Sequence, residues 1–222
     1  MRVYGMNVLK ELDTKKIKKV FTSRKEVCKY CSENKIKYEF VDNHFLNKMC
    51  EYNHQGVVID AFDYDYYNIN DIDGDFVLIL DHLEDPHNLG AIVRSSEAFG
   101  VDAIIIPNDR SVQITSTVVK TSVGTIEKVK IVNVPNINNA IRKLKDLGYW
   151  IVGTDMEGTN YTEIDYKTKI GLVIGNEGKG IGEKVKKNCD FLVKIPMKGK
   201  ITSLNAAVSA GIVMYEVVKQ RI

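Results

Sequence analysis

At 222 residues the chain is long enough for one large domain, or for a large domain and a small one. Hydrophobic residues make up 44% and charged residues 27%, an ordinary globular mix, and no apolar run approaches the roughly 20 residues needed to span a bilayer. The N-terminus, MRVYGMNVLK, lacks the apolar centre of a signal peptide, so a cytoplasmic protein is expected. The net charge of +2 conceals a polarity: residues 1–52 carry 12 Lys and Arg against 7 Asp and Glu, and residues 53–75 carry six Asp and no Lys or Arg. A basic N-terminal unit favours polyanions such as RNA, although this excess is modest enough to serve solubility alone.

In chain order, IKKVFTS and KYEFVD read as short strands. SRKEVCKYCSEN between them reads as a helix with Ser23 as its N-cap. Cys28 and Cys31 form a C-x-x-C within it, but no second ligand pair follows at zinc spacing, so reduced thiols and no metal are expected. DNHFLNKMCEY suggests a further helix, and QGVVIDAF a strand. These pieces form a small α/β unit over residues 1–66. DYDYYNINDIDGD, which follows, is rich in Asp, Asn and Tyr and has no clean period; it reads as a connector, with 67–75 between the two units.

From Phe76 the pattern changes. FVLILD is a continuous apolar run, as expected of a strand buried on both faces. A polar turn carrying Glu84, Asp85, His87 and Asn88 leads into the helix NLGAIVRSSEAFG, which ends at Gly100. DAIIIP, VKIVNV, YWIVGTD, GLVIGN and FLVKIP repeat the strand theme, and INNAIRKLKDLG fits a helix ending on Gly148. This alternation predicts a parallel sheet covered by helices over residues 76–222, with ligands outside the carboxyl ends of its strands. The last stretch, SLNAAVSAGIVMYEVVKQRI, is apolar almost all round, which predicts a helix buried on two sides, within the domain or against a second subunit.

GNEGKGIG, from Gly175 to Gly182, follows an apolar strand and suggests a nucleotide loop. Its spacing fits neither a dinucleotide fingerprint nor a P-loop, since Lys179 is followed by glycine where a P-loop needs Ser or Thr. Glu177 would repel a pyrophosphate. The glycines would still let the backbone approach a flat, uncharged group such as adenine, and a tight turn without any ligand is the plain alternative. Two further clusters bear on the choice. In the first, Asn88 and Arg94 lie six apart on one helix. In the second, IPMKGKITSLNAAVSAGI, Ser203 and Asn205 open the terminal helix after a basic glycine turn.

Taken together, DPHNLGAIVRSSEAFG, LVIGNEGKGI and IPMKGKITSLNAAVSAGIVMYE resemble the three ordered motifs of the SpoU/TrmH family of RNA ribose 2′-O-methyltransferases, in the SPOUT superfamily. VYGMNVLKEL and HQGVV in the first segment resemble, more loosely, the small substrate-binding domain that precedes the catalytic domain in many members. The resemblance implies an α/β fold: a parallel-sheet SPOUT domain with a C-terminal deep trefoil knot, preceded by a small α/β substrate-binding domain, and assembled as a homodimer. It implies methyl transfer from S-adenosylmethionine, without a metal, to a ribose 2′-hydroxyl, most like a guanosine of 23S ribosomal RNA. Transfer RNA is an alternative substrate, and a non-catalytic RNA-binding assembly factor an alternative function. It further implies Arg94, Asn88, Glu177, Ser203 and Asn205 as catalytic residues, with Asn88 beside Arg94 and Glu177 orienting it. Cofactor contacts carry over to Gly153, Thr154, Gly175, Ile195, Met197, Ser203 and Leu204. RNA contacts carry over to Arg24, Lys25, His54 and Gln55.

Overall fold

The computed structural model describes residues 1–50, 53–176, 178–201 and 203–222; Glu177 lies outside them. The first unit runs β1 (Arg2–Tyr4), α1 (Met6–Glu11), β2 (Ile17–Thr22), α2 (Lys25–Glu33), β3 (Tyr38–Phe40), α3 (Asn43–Met49) and β4 (Val57–Ala61). Its sheet has the order β1-β4-β2-β3, with β4 antiparallel to β1 and β2, and β3 parallel to β2. The strands read from the sequence are present. β1 and α1 are additional, joined through Gly5 at a φ of 105°.

Ser23 does not cap α2. Arg24 occupies the N-cap position with no side-chain cap, because the Ser23 hydroxyl instead donates to Asn43 Oδ1 at 2.7 Å. Asp42 caps α3 in the ordinary way, its Oδ1 accepting from the Phe45 N–H at 2.7 Å.

The Asp- and Tyr-rich connector is bound along its length. The Tyr64 hydroxyl accepts from the Ile131 N–H at 3.2 Å, and the Tyr66 hydroxyl from the Ile114 N–H at 2.9 Å. Tyr67 forms a bridge to Val132, while Ile69 and Ile72 are buried. The tyrosines explain the missing period: Tyr64 and Tyr67 reach Ile131 and Tyr66 reaches Ile114, all on the second unit.

That unit runs β5 (Phe76–Leu80), α4 (Pro86–Ala98), β6 (Ala103–Pro107), α5 (Ser116–Thr121), β7 (Lys130–Val134), α6 (Ile137–Asp146), β8 (Trp150–Asn160), β9 (Ile170–Ile174), α7 (Glu183–Lys186), β10 (Phe191–Lys194) and α8 (Ala206–Arg221). The six strands are parallel, in the order β10-β8-β9-β5-β6-β7. Apolar runs such as FVLIL are central strands: Phe76, Leu78 and Leu80 face one core, Val77 and Ile79 the other. The first of these cores continues into the first unit through Val8, Leu9 and Val20. α4 starts two residues earlier than the pattern predicts, with Asp85 as N-cap and Pro86 in its first turn, so His87 and Asn88 are helical. α6 ends at Asp146 with Leu147 as its C-cap, and Gly148 follows with a φ of 87°.

Candidate active site

Parallel pairing sets Leu80 and Ile174 side by side at the ends of adjacent strands, so the loops after β5 and β9 meet. The glycine loop closes on itself. The Asn176 N–H donates to the Gly180 carbonyl at 3.1 Å, and the Gly180 N–H to the Asn176 carbonyl at 2.9 Å. A Cβ on Gly175 would stand 2.2 Å from the Gly180 carbonyl carbon, so only glycine fits there. The loop is tied to the end of β5 twice. Asn176 Nδ2 donates to the His82 carbonyl at 2.9 Å, and the Gly182 N–H donates to Asp81 Oδ2 at 2.7 Å. The buried Asp81 also pairs with His82 Nδ1 at 2.6 Å.

A cavity of about 330 Å³ opens between this loop, β8, β10 and the approach to α8. Thr154, Gly175, Ile195, Met197, Ser203 and Leu204 line it. Gly153 does not. It is buried on the far side of β8, where a Cβ would meet Cys189 Sγ at 2.8 Å and Ile181 Cδ1 at 3.0 Å; glycine there lets α7 and its flanks approach the strand.

Asp155 is a wall residue that the motifs do not mark. Burial would raise its pKa, but the hydrogen bond from Lys186 at 2.8 Å, the Glu157 N–H and the Lys186 charge outweigh burial and hold the carboxyl below its ordinary value. Its signal in the sequence is only that it follows Thr154 at the polar end of a buried strand. The wall thus combines apolar side chains, open main chain, Lys179, Lys194 and the Asp155 carboxylate, with no hydroxyl after Lys179. Its apolar side chains and open main chain suit a flat heteroaromatic group.

The other motif residues meet beside the cavity. Asn205 is the N-cap of α8; its Oδ1 accepts from the Ala207 and Val208 N–H groups, and its Nδ2 donates to Asn88 Oδ1 at 2.9 Å. One side chain therefore caps a helix and joins the first and third motifs. Ser203, which alone would suggest a cap, is exposed on the cavity wall. Asn88 is buried against Asn205. The buried side of α4 carries Leu89, Ile92, Val93 and Ser96, and this turns Arg94 outward. Arg94 is exposed and lies off the cavity wall. The expected pairing with Glu177 lies outside the described residues.

On the first unit, Arg24, His54 and Gln55 line a separate concavity, whereas Lys25 is exposed beside it. Among the described residues no group of three or more His, Cys, Asp or Glu could hold a metal ion. Cys31 is buried in the core, and burial pushes its thiol up to about 11.

The sequence profile of the SpoU rRNA Methylase family matches residues 75–215, and that of RNA 2′-O ribose methyltransferase substrate binding matches residues 2–67. The chain belongs to the SpoU rRNA Methylase family. It is 42% identical over 205 residues, 88% of its length and 82% of the other's, to a protein named putative TrmH family tRNA/rRNA methyltransferase YacO from Bacillus subtilis. Among solved structures it is similar to the AdoMet-bound rRNA methyltransferase of Sinorhizobium meliloti, with a TM-score of 0.85, 28% identity, and coverage of 100% of this chain and 87% of that one. The SpoU methyltransferase AviRb of Streptomyces viridochromogenes, in complex with AdoMet, shares the fold with a TM-score of 0.86 at 23% identity, covering 100% and 90%.

Proposed function

We propose that this family member transfers a methyl group from S-adenosylmethionine to a ribose 2′-hydroxyl of RNA, in the cytoplasm, and that its substrate is a guanosine of 23S ribosomal RNA. The observation that carries the reading is the convergence of β8, the glycine loop and the third motif on one cavity, within a chain whose two units match a methylase and an RNA substrate-binding profile. The cofactor, when bound, supplies an activated methyl on a cationic sulfonium, so no metal is needed. Main-chain groups around Gly175 and Ile195 would match the donors and acceptors of adenine, and Leu204 and Met197 would cover its faces. That Ile195, Met197, Ser203 and Leu204 share one cavity with the glycine loop is in keeping with the knot implied by the family.

Arg94, with an intrinsic pKa above about 12, is suited to hold the RNA phosphate and the attacking oxygen in line rather than to take the proton. The Asn88–Asn205 pair and Ser203 would fix the acceptor hydroxyl near the cavity mouth. The test is tritiated methyl transfer to unmodified ribosomal and transfer RNA. Wild type should label ribosomal RNA. Arg94→Ala should lower kcat about 100-fold while leaving the cofactor Kd unchanged, because Arg94 is off the cavity wall. Labelling of transfer RNA alone would move the substrate to the second reading, and labelling of no RNA would sink both.

A further inference from the structure

The concavity on the first unit has a volume of about 550 Å³ and lies where the end of β2 faces the start of β4. Its hydrogen bonds sort donors from acceptors. The Gly56 N–H donates to His54 Nδ1 at 2.9 Å, so that nitrogen carries no proton and Nε2 must hold it. Nε2 then donates to Asn47 Oδ1 at 2.8 Å. Asn53 Oδ1 accepts from the Gln55 N–H at 3.2 Å, and Asn43 Oδ1 accepts from the Ser23 hydroxyl at 2.7 Å. Each of the three asparagines has its oxygen committed inside the protein. Their three amide N–H₂ groups donate to no described residue. The His54 ring at the centre is only 8% exposed, so the arrangement is held by a buried side chain. The charge of Arg24 is matched by Glu26 at 2.6 Å.

The lining is therefore rich in donors, most of them neutral amides, with the Lys120 ammonium at its edge, 3.4 Å from the Asn53 carbonyl. Phosphate sites are built mainly from free lysine and arginine. Neutral amide donors instead suit the carbonyl oxygens of a nucleobase. We propose that this concavity reads an unpaired keto base of the substrate RNA, uracil or guanine, through the amide N–H₂ groups of Asn43, Asn47 and Asn53. An amino base turns a donor toward the same groups and is disfavoured. The inference rests on the RNA reading above and adds to it a base preference away from the methyl-transfer cavity.

The test is fluorescence anisotropy of the full chain with labelled ten-nucleotide oligo(U) and oligo(C) RNAs at fixed salt and without cofactor. Wild type should bind oligo(U) about fivefold tighter, the worth of roughly one hydrogen bond. Asn47→Asp keeps an oxygen for His54 and replaces the amide donor with an acceptor, so the preference should vanish or invert. Should Asn47→Asp melt early, Asn43→Asp gives the same readout, since an acid suits the first turn of α3. Equal affinity of wild type for the two RNAs overturns the proposal. So does an equal loss on both, which would mark a phosphate contact. Because the readout needs no turnover, a base preference without methyl transfer would sink the catalytic reading alone. Methyl transfer without a base preference would sink only this inference.

Discussion

Gly175 is the residue on which the cavity turns. A methyl group there would overlap the backbone of Gly180, so Gly175→Ala should part the two arms of the loop. We expect a cost of about 1–3 kcal/mol in stability and at least about a tenfold loss in cofactor affinity, read by calorimetry. Gly178→Ala is the control: among the described residues its added Cβ would meet Asn176 Oδ1 alone, at 3.6 Å, and stability should hardly change. Asp155 gives a pH-dependent expectation. Its carboxyl titrates below its ordinary value in the folded chain, so the Lys186 pair stabilises above the ordinary carboxylate pKa of about 4. That gain is lost as pH falls through the lowered value. Asp155→Asn should cost about 1–2 kcal/mol at pH 7, and the melting temperatures of variant and wild type should converge toward acid pH. The glycine was legible in the sequence as a turn residue. Its contact with Gly180 was not, because nothing in the spacing says that the loop doubles back. Asp155 was invisible because the lysine that holds it lies beyond the next strand, on the short helix α7.

At the scale of elements, α8 carries the clearest unfinished surface. Ala206, Ala210, Val213, Met214 and Val217 are buried, while Val208 and Tyr215 are 50% and 57% exposed. The apolar pattern predicts burial on two sides, and one chain covers only one. We propose that a second copy covers the other. Wild type should sediment as a dimer, and Tyr215→Glu as a folded monomer; a monomeric wild type at micromolar concentration would refute the pairing. The central strands were readable because burial on both faces leaves unbroken apolar runs. β1, α1 and α5 were not: they span three, six and six residues, shorter than the window over which a hydrophobic period can be recognised. The facing of Arg94 escaped for a related reason. Six residues along a helix amount to about one and two-thirds turns, and only the packing of α4 on α5 and α8 decides which side becomes the outside.

For the whole molecule, the change of composition near residue 75 separates two sheets but conceals how firmly they are joined. One hydrophobic cluster runs from Val8 and Leu9 to Val118 and Ile126. Around it Glu11 pairs with Lys128 and Lys16 with Glu127, each at 2.8 Å, and Lys120 sits 4.4 Å above the ring of Tyr4. Such sharing predicts a single cooperative thermal transition, with calorimetric and van't Hoff enthalpies equal; two resolved endotherms would show that the units melt apart. The strap of tyrosines extends the same logic to function. A connector anchored at Tyr64, Tyr66 and Tyr67 cannot pay out slack, so the base-reading concavity and the methyl-transfer cavity are held like the jaws of a caliper. An RNA gripped by one jaw can offer the other only those riboses that its own fold places at that fixed span. Selection of the modified nucleotide would then be a measurement of RNA shape as much as a reading of its letters.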